Sequence, residues 1–303
     1  MKNMWEIQTD LAVELQESMT KTKAENEGVR IRKNQDGENG IVTTKIEITN
    51  EEGERAVGKP KGSYLTLEFP QDCRKETLGP VVERAIRQLA DRAAPDAKTV
   101  LAVGLGNADM TADALGPETM EKLCPTRALT EDRSGLAVLT PGVAGQTGME
   151  SAEIIAGVCR QVRPDLVLAV DALAARSSLR LGRTIQLNDS GICPGSGIGN
   201  SRQELSQKTL GVPVIAIGVP TVVSAAAIAC DALDAMKEVF RGQNLLGSVE
   251  ELNAEEQRNL VLELLMPRIG TLYVAPKDMD AMVLSVSSLL ADALNHLFAK
   301  IGE

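Results

Sequence analysis

Two aspartates in this chain follow apolar runs, and what surrounds them sets the chemistry open to them. Residues 166–170 (LVLAV) carry no polar break and end in Asp171. Such a run predicts a strand buried on both faces, as in a parallel sheet covered by helices. Ligands of these sheets bind beyond the carboxyl ends of the strands. Asp171 is therefore expected at the rim of the core, half desolvated and aimed at whatever binds; the competing expectation is that it caps the next helix. Asp113 follows a second apolar run, 99–105 (TVLAVGL), in the stretch GNADMTADALGPE. A parallel sheet can bring both acids to one edge. Two carboxylates that approach closely do not both ionise easily, so one can take a proton from water while the other protonates a leaving group. That is peptide hydrolysis without a covalent intermediate, although the spacing alone is a weak signal and more often marks helix caps or surface acids.

A glycine-rich stretch follows at 189–200, DSGICPGSGIGN. Four glycines in twelve residues call for positive φ or close backbone approach, and N–H groups there can cradle an oxyanion or anion. Gly195 and Gly197 are the candidate substrate-binding positions in it; an ordinary tight connection is the alternative. Residues 141–148 (PGVAGQTG) precede a helix start and offer a similar place. Other familiar sites are missing. GLGNAD has Asp109 where the third glycine of a dinucleotide fingerprint belongs, and there is no GxSxG elbow or Walker loop. His296 is the only histidine and lies in a C-terminal helical pattern, which argues against a Ser–His or Cys–His nucleophile and a histidine-rich metal site. No metal or other cofactor is expected, though a divalent ion held by carboxylates alone stays open.

The elements that must position these groups read as α/β. Residues 41–49 and 63–69 alternate as paired antiparallel strands, with at most one short strand before them at 29–31, and predict a small β appendage within 20–70. Helical spacing marks 76–94, 149–162 (stopped at Pro164), 222–240, 255–266 and 278–300. Strands are expected at 99–105, 136–139, 166–170, 184–187 and 212–217, and a strand-like stretch at 271–274. Apolar strands followed by helices predict a three-layer α/β/α sandwich with a largely parallel central sheet. The chain of 303 residues carries a formal charge of −10, which argues against a nucleic-acid surface. Five scattered cysteines without a C-x-x-C pair suit reduced thiols inside a cell. No signal peptide and no membrane span are expected, so the reading is of a soluble, intracellular protein.

Taken together and in order, QTDLAVEL, VGLGNADMTADALGPE, TPGVAGQTGMESAEIIAGV, VDALAARS, QLNDSGICPGSGIGN and GVPVIAIGVPTVV resemble the germination (spore) protease family of endospore-forming bacteria. The likeness runs from about Thr9 to the final helix. It implies an atypical aspartic endopeptidase, acting in the cytoplasm of the forespore and spore core, that begins degradation of small acid-soluble spore proteins. It also implies a self-processing zymogen, a homotetramer, and a fold similar to the hydrogenase-maturation endopeptidases. The family's two proposed catalytic aspartates fall on Asp113 and Asp171.

The substrates implied by this likeness read Thr-Glu, an apolar residue, Ala, a variable residue and Glu, cut after the first acid. Residues 9–14, Thr-Asp-Leu-Ala-Val-Glu, have that form. Self-cleavage is thus expected between Asp10 and Leu11, leaving residues 1–10 as propeptide and 11–303 as one protease domain. Asp in place of Glu should slow the cut. An acidic residue before the scissile bond calls for a basic subsite, with Arg176 the candidate and pairing to a nearby Asp the alternative. The likeness also leads one to expect His where this chain has Cys193. Two other functions remain in view: a metal-assisted peptidase using the same aspartates, and a catalytically silent protein that binds spore proteins.

Overall fold

The computed structural model describes residues 9–17, 28–37, 39–199, 202–239 and 272–299, with isolated positions at 256, 260 and 263. The expected connection 241–252, nearly all of the expected helix 255–266, and residues 1–8 of the propeptide lie outside the described residues.

Nine described strands form one sheet: β1 Val29–Gln35, β2 Val42–Ile48, β3 Gly62–Glu68, β4 Thr99–Gly104, β5 Gly135–Leu139, β6 Leu166–Ala175, β7 Thr184–Asn188, β8 Val214–Ser224 and β9 Tyr273–Val274. Their order is β1-β2-β3-β7-β8-β6-β4-β5, with β9 also on β8. Strands β5, β4, β6 and β8 are parallel, whereas β8–β7, β7–β3, β3–β2, β2–β1 and β8–β9 are antiparallel. The sheet is mixed rather than largely parallel, and the N-terminal strands extend it through β3–β7 instead of standing apart as an appendage. The burial of β3 explains this: Leu65 and Leu67 face one apolar layer and Tyr64 the other, as in an interior strand.

The described helices are α1 Ala12–Gln16, α2 Glu51–Val57, α3 Lys75–Ala93, α4 Leu115–Glu121, α5 Ala144–Thr147, α6 Ser151–Val162, α7 Gln207–Leu210, α8 Ala225–Val239 and α9 Met279–Phe298. On one face, Leu78, Val82, Ile86 and Leu89 of α3 and Leu289, Leu290 and Leu294 of α9 pack on Val100, Leu168, Val170, Ile215 and Ile217. On the other, Ile155 and Cys159 of α6 cover Leu101, Val103, Val167 and Val214. Farther along that face Leu11 and Val13 join Val29, Ile46, Tyr64, Leu173 and Ala175. Helices on both faces of one sheet make the three-layer α/β/α sandwich.

Helix α9 corrects the expectation that no stretch is apolar and long enough to cross a membrane. Its 20 residues meet that test by length and composition. Val283, Val286, Leu289, Leu290, Ala293 and Leu294 are nevertheless buried against the rest of the fold, which accounts for the apolarity by core packing.

Two strands that bear on the site outrun the sequence expectation. Strand β6 continues through Asp171 to Ala175, and β8 continues to Ser224, because the two pair in register far beyond Val170 and Ile217. Neither the strand-end position nor the helix-cap position expected for Asp171 is found.

Candidate active site

Asp171 sits within β6 and is 5 % exposed. Its Oδ1 accepts the Ala172 N–H at 2.9 Å. Burial drives its carboxyl well above the ordinary carboxylate range, and the charges of Asp113 and Asp10 push the same way. Asp113 ends a short 3₁₀ turn, Thr111–Asp113, that leads into α4. Burial raises its pKa as well, against the Asn107 N–H that donates to Oδ2 at 2.8 Å. Burial first, and then the Asp113 charge, favour a retained proton on Asp171.

The segment that leads to Asp113 is braced from two sides. Gln146, in the 141–148 stretch, donates to Asn107 Oδ1 at 2.8 Å and Asp109 Oδ2 at 2.9 Å. From the other side Thr221 Oγ1 donates to the Ala112 carbonyl at 2.6 Å. Thr221 is free to turn there because the β6–β8 register jumps from Leu173↔Pro220 to Ala174↔Val222, a bulge that leaves it unpaired. Pro220, which has no N–H to give, stands next to this break in the ladder.

Strand β4 pairs with β6 only as far as Val170, so β6 has a bare edge from Ala172 onward. The segment 9–14 lies on that edge. Asp10 N–H donates to the Ala174 carbonyl at 2.9 Å, and Ala174 N–H donates to Asp10 Oδ2 at 3.0 Å. Ser196 Oγ donates to Asp10 Oδ1 at 2.5 Å. Leu11 and Ala12 are fully buried. Glu14, 3 % exposed, accepts the N–H groups of Arg176 and Ser177 at 2.7 and 2.9 Å and a guanidinium hydrogen of Arg180 at 3.1 Å. Thr9 Oγ1 also bonds Glu14 Oε2.

One side chain spans the Asp10–Leu11 bond. Gln186 Nε2 donates to the Asp10 carbonyl at 3.0 Å, and Gln186 Oε1 accepts the Ala12 N–H at 2.6 Å. Asp171 and Gln186 both pair with Gly218 across adjacent strands, so the two side chains share one face of the sheet. They stand roughly 9–10 Å apart at Cα, two strand spacings. Gly218 has no side chain, and Leu173 fills the space over it: a Cβ there would lie 2.4 Å from Leu173 Cδ1.

Most residues singled out in the sequence converge here. Asp171 feels the charges of Asp113 and Asp10, and Leu11 packs with Leu173 of the same strand. Gly197 belongs to the floor under Asp10: a Cβ on it would lie 2.1 Å from Asp10 Oδ2. Gly195 supplies the left-handed turn, φ 72°, that starts the short helix carrying Ser196 and Gly197. Arg176 is placed differently from the expectation. The donors on Asp10 are a hydroxyl and a main-chain N–H, while Arg176 meets Glu14 through its own N–H. Half-buried Cys193 lines, with Asp10, Ser196 and Gln186, a cavity of about 190 Å³. Sequence reasoning missed Gln186, Ser196, Thr221 and Arg180. The one signal for Gln186 was a polar position alternating with Ile185 and Leu187 in a strand that is buried on both faces.

Comparison with known proteins gives the family. Residues 6–242 match the model of the family described as germination protease. The germination protease of Clostridium tetani is 41% identical over 308 residues, covering 95% of this chain and 94% of that one. That of Clostridium acetobutylicum is 40% identical over 309 residues with the same coverage, and that of Priestia megaterium 36% over 352 residues, covering 97% and 94%. Among solved structures, a nickel–iron hydrogenase maturation protease from Thermococcus kodakarensis aligns with 68% of this chain and 99% of its own at 15% identity and a TM-score of 0.36. A likeness that distant identifies neither function nor site. The sequence matches set aside the reading as a catalytically silent binding protein. The chain belongs to the germination protease family and is a protease with a role in spore germination.

Proposed function

We propose that this protease is made as a zymogen that cuts its own chain between Asp10 and Leu11 and then opens small acid-soluble spore proteins at sequences of the same form, using Asp113 and Asp171 to activate water. The observation that carries the reading is the seating of residues 9–14 along the bare edge of β6, with the Asp10 carboxylate near enough to Asp171 for its charge to be felt there. A peptide held by strand addition presents its main chain to the site in one register.

Asp171, the more deeply buried acid, holds the shared proton. Ionised Asp113 removes a proton from water as the water oxygen bonds to the Asp10 carbonyl carbon. Collapse of that adduct breaks the C–N bond, and the Leu11 nitrogen leaves as an amine with the proton from Asp171. Family membership is the ground for expecting a homotetramer and a place in the cytoplasm of the forespore and spore core. The test is mass spectrometry of purified precursor held at mildly acidic pH, beside Asp113→Asn and Asp171→Asn. Loss of residues 1–10 in the wild type alone is expected; trimming in either variant would remove the aspartates from the chemistry. Trimming that survives dialysis against a chelator separates this reading from a metal-assisted one.

A further inference from the structure

We propose that Gln186 is a catalytic residue, the donor that holds the scissile carbonyl and stabilises the oxyanion formed on it. The inference rests on the self-processing reading above. Its geometry is specific. Gln186 Nε2 lies 3.0 Å from the Asp10 carbonyl oxygen, the atom that gains negative charge when water adds to the carbon. Gln186 Oε1 accepts the N–H of Ala12, one peptide past the bond to be cut. The amide cannot be turned round: a carbonyl oxygen only accepts and a main-chain N–H only donates, so the two partners dictate which end is Nε2.

The setting is that of a fixed donor. Gln186 is 5 % exposed, in a short strand with Ile185 and Leu187 buried in the core on either side. A buried amide is costly unless its hydrogen bonds are made. Once residues 1–10 depart, Nε2 loses the Asp10 carbonyl and faces the cleft as a donor awaiting the next carbonyl. Asp171 shares its face of the sheet, two strands away, through their common partner Gly218. In the addition step the C=O π electrons move onto oxygen as the water oxygen bonds to carbon. Gln186 gives no proton away; it strengthens one hydrogen bond as the charge grows. Removing such a donor slows hydrolysis by about 100- to 1,000-fold in a well-studied serine protease.

Self-trimming tests this without a separate binding step, because the cut segment is tethered in its own cleft. The rate constant for loss of residues 1–10 is measured by mass spectrometry in wild-type, Gln186→Met and Gln186→Glu precursors between pH 4 and 8. Amide hydrogen exchange over residues 10–14 reports whether the segment stays seated. The expected result is trimming roughly 100- to 1,000-fold slower in Gln186→Met with those amides still protected. In Gln186→Glu the deficit relative to wild type should narrow as the pH falls toward about 4, where a protonated carboxyl regains an O–H donor. Should Gln186→Met not fold, the pH dependence of the near-isosteric Glu variant decides alone. Wild-type rates in the Met variant, or lost trimming together with lost protection, overturn the role of Gln186 and leave self-processing standing. A wild-type precursor that never trims overturns both.

Discussion

The side chain of Asp10 is one methylene shorter than the Glu expected in a favoured substrate, and its surroundings give that difference a consequence. Its carboxylate is tied to Ser196 Oγ and the Ala174 N–H over a floor that Gly197 keeps free of side chain. With the carboxylate anchored, the shorter arm draws the main chain toward the floor and sets where the scissile carbonyl lies. Asp10→Glu should let the same anchor be reached with less pull on the main chain while the carbonyl stays on Gln186 Nε2, and the adjoining cavity of about 190 Å³ has room for the methylene. One methylene in a fitted site is worth roughly 10- to 200-fold. Faster trimming by that order is expected, read as the mass-spectrometric rate; an unchanged or slower rate would sink the idea that Asp10 restrains the zymogen. At this scale the acids were legible, because Asp113 and Asp171 follow apolar runs where a charge is conspicuous. Gln186, Ser196 and Arg180 were not, since ordinary polar residues acquire a role only when folding sets them beside the peptide.

The element that does most to build the site is the second half of β6. The sequence suggested a strand ending at Val170 because Asp171 looked like a terminator. Yet the next residues, Ala172 to Ala175, carry no Gly or Pro to stop them, and pairing with β8 carries the strand on. Tertiary pairing outweighed a local polar residue, which is why the strands were found and their lengths were not. The consequence is a bare edge followed by the turn Ser178–Arg180, and that turn reads the far end of the docked peptide. Arg180 is 14 % exposed and pairs with Glu14, Glu17 and Glu68. A double-mutant cycle of Arg180→Met and Glu14→Gln, scored by trimming rate and by exchange protection of residues 10–14, should yield a coupling energy of about 1.5–3 kcal/mol. Arg176→Met, whose link to Glu14 is through the main chain, should couple negligibly. Equal coupling at the two arginines would restore Arg176 as the side chain that binds acid.

At the scale of the whole molecule, the burial that tunes Asp171 also ties folding to pH. The three-layer architecture was legible from apolar strands alternating with helices. The mixed character of the sheet was not, because local patterning cannot tell an antiparallel strand joined to the main sheet from one paired only within its hairpin. That joining extends the face on which Asp171 lies: Leu173, two residues on in β6, packs with Leu11 and with Tyr64 of β3, and Asp171 is buried. Its folded pKa is raised above the unfolded value of about 3.9, so the native state binds more protons than the unfolded chain. The stabilisation from the protonated acid is complete below the unfolded pKa and is lost as pH rises through the folded one. Asparagine imitates the protonated acid at every pH and should abolish that slope. The comparison is best made between Asp113→Asn and the double variant Asp113→Asn/Asp171→Asn, neither of which is expected to trim. Burial is the leading cause of the shift, so it persists without the Asp113 charge. Thermal unfolding should give matching midpoints near pH 4 and a midpoint several degrees higher for the double variant near pH 8. Midpoints that still match near pH 8 would mean that Asp171 ionises readily in the folded protein and could not serve as the proton donor to the Leu11 nitrogen.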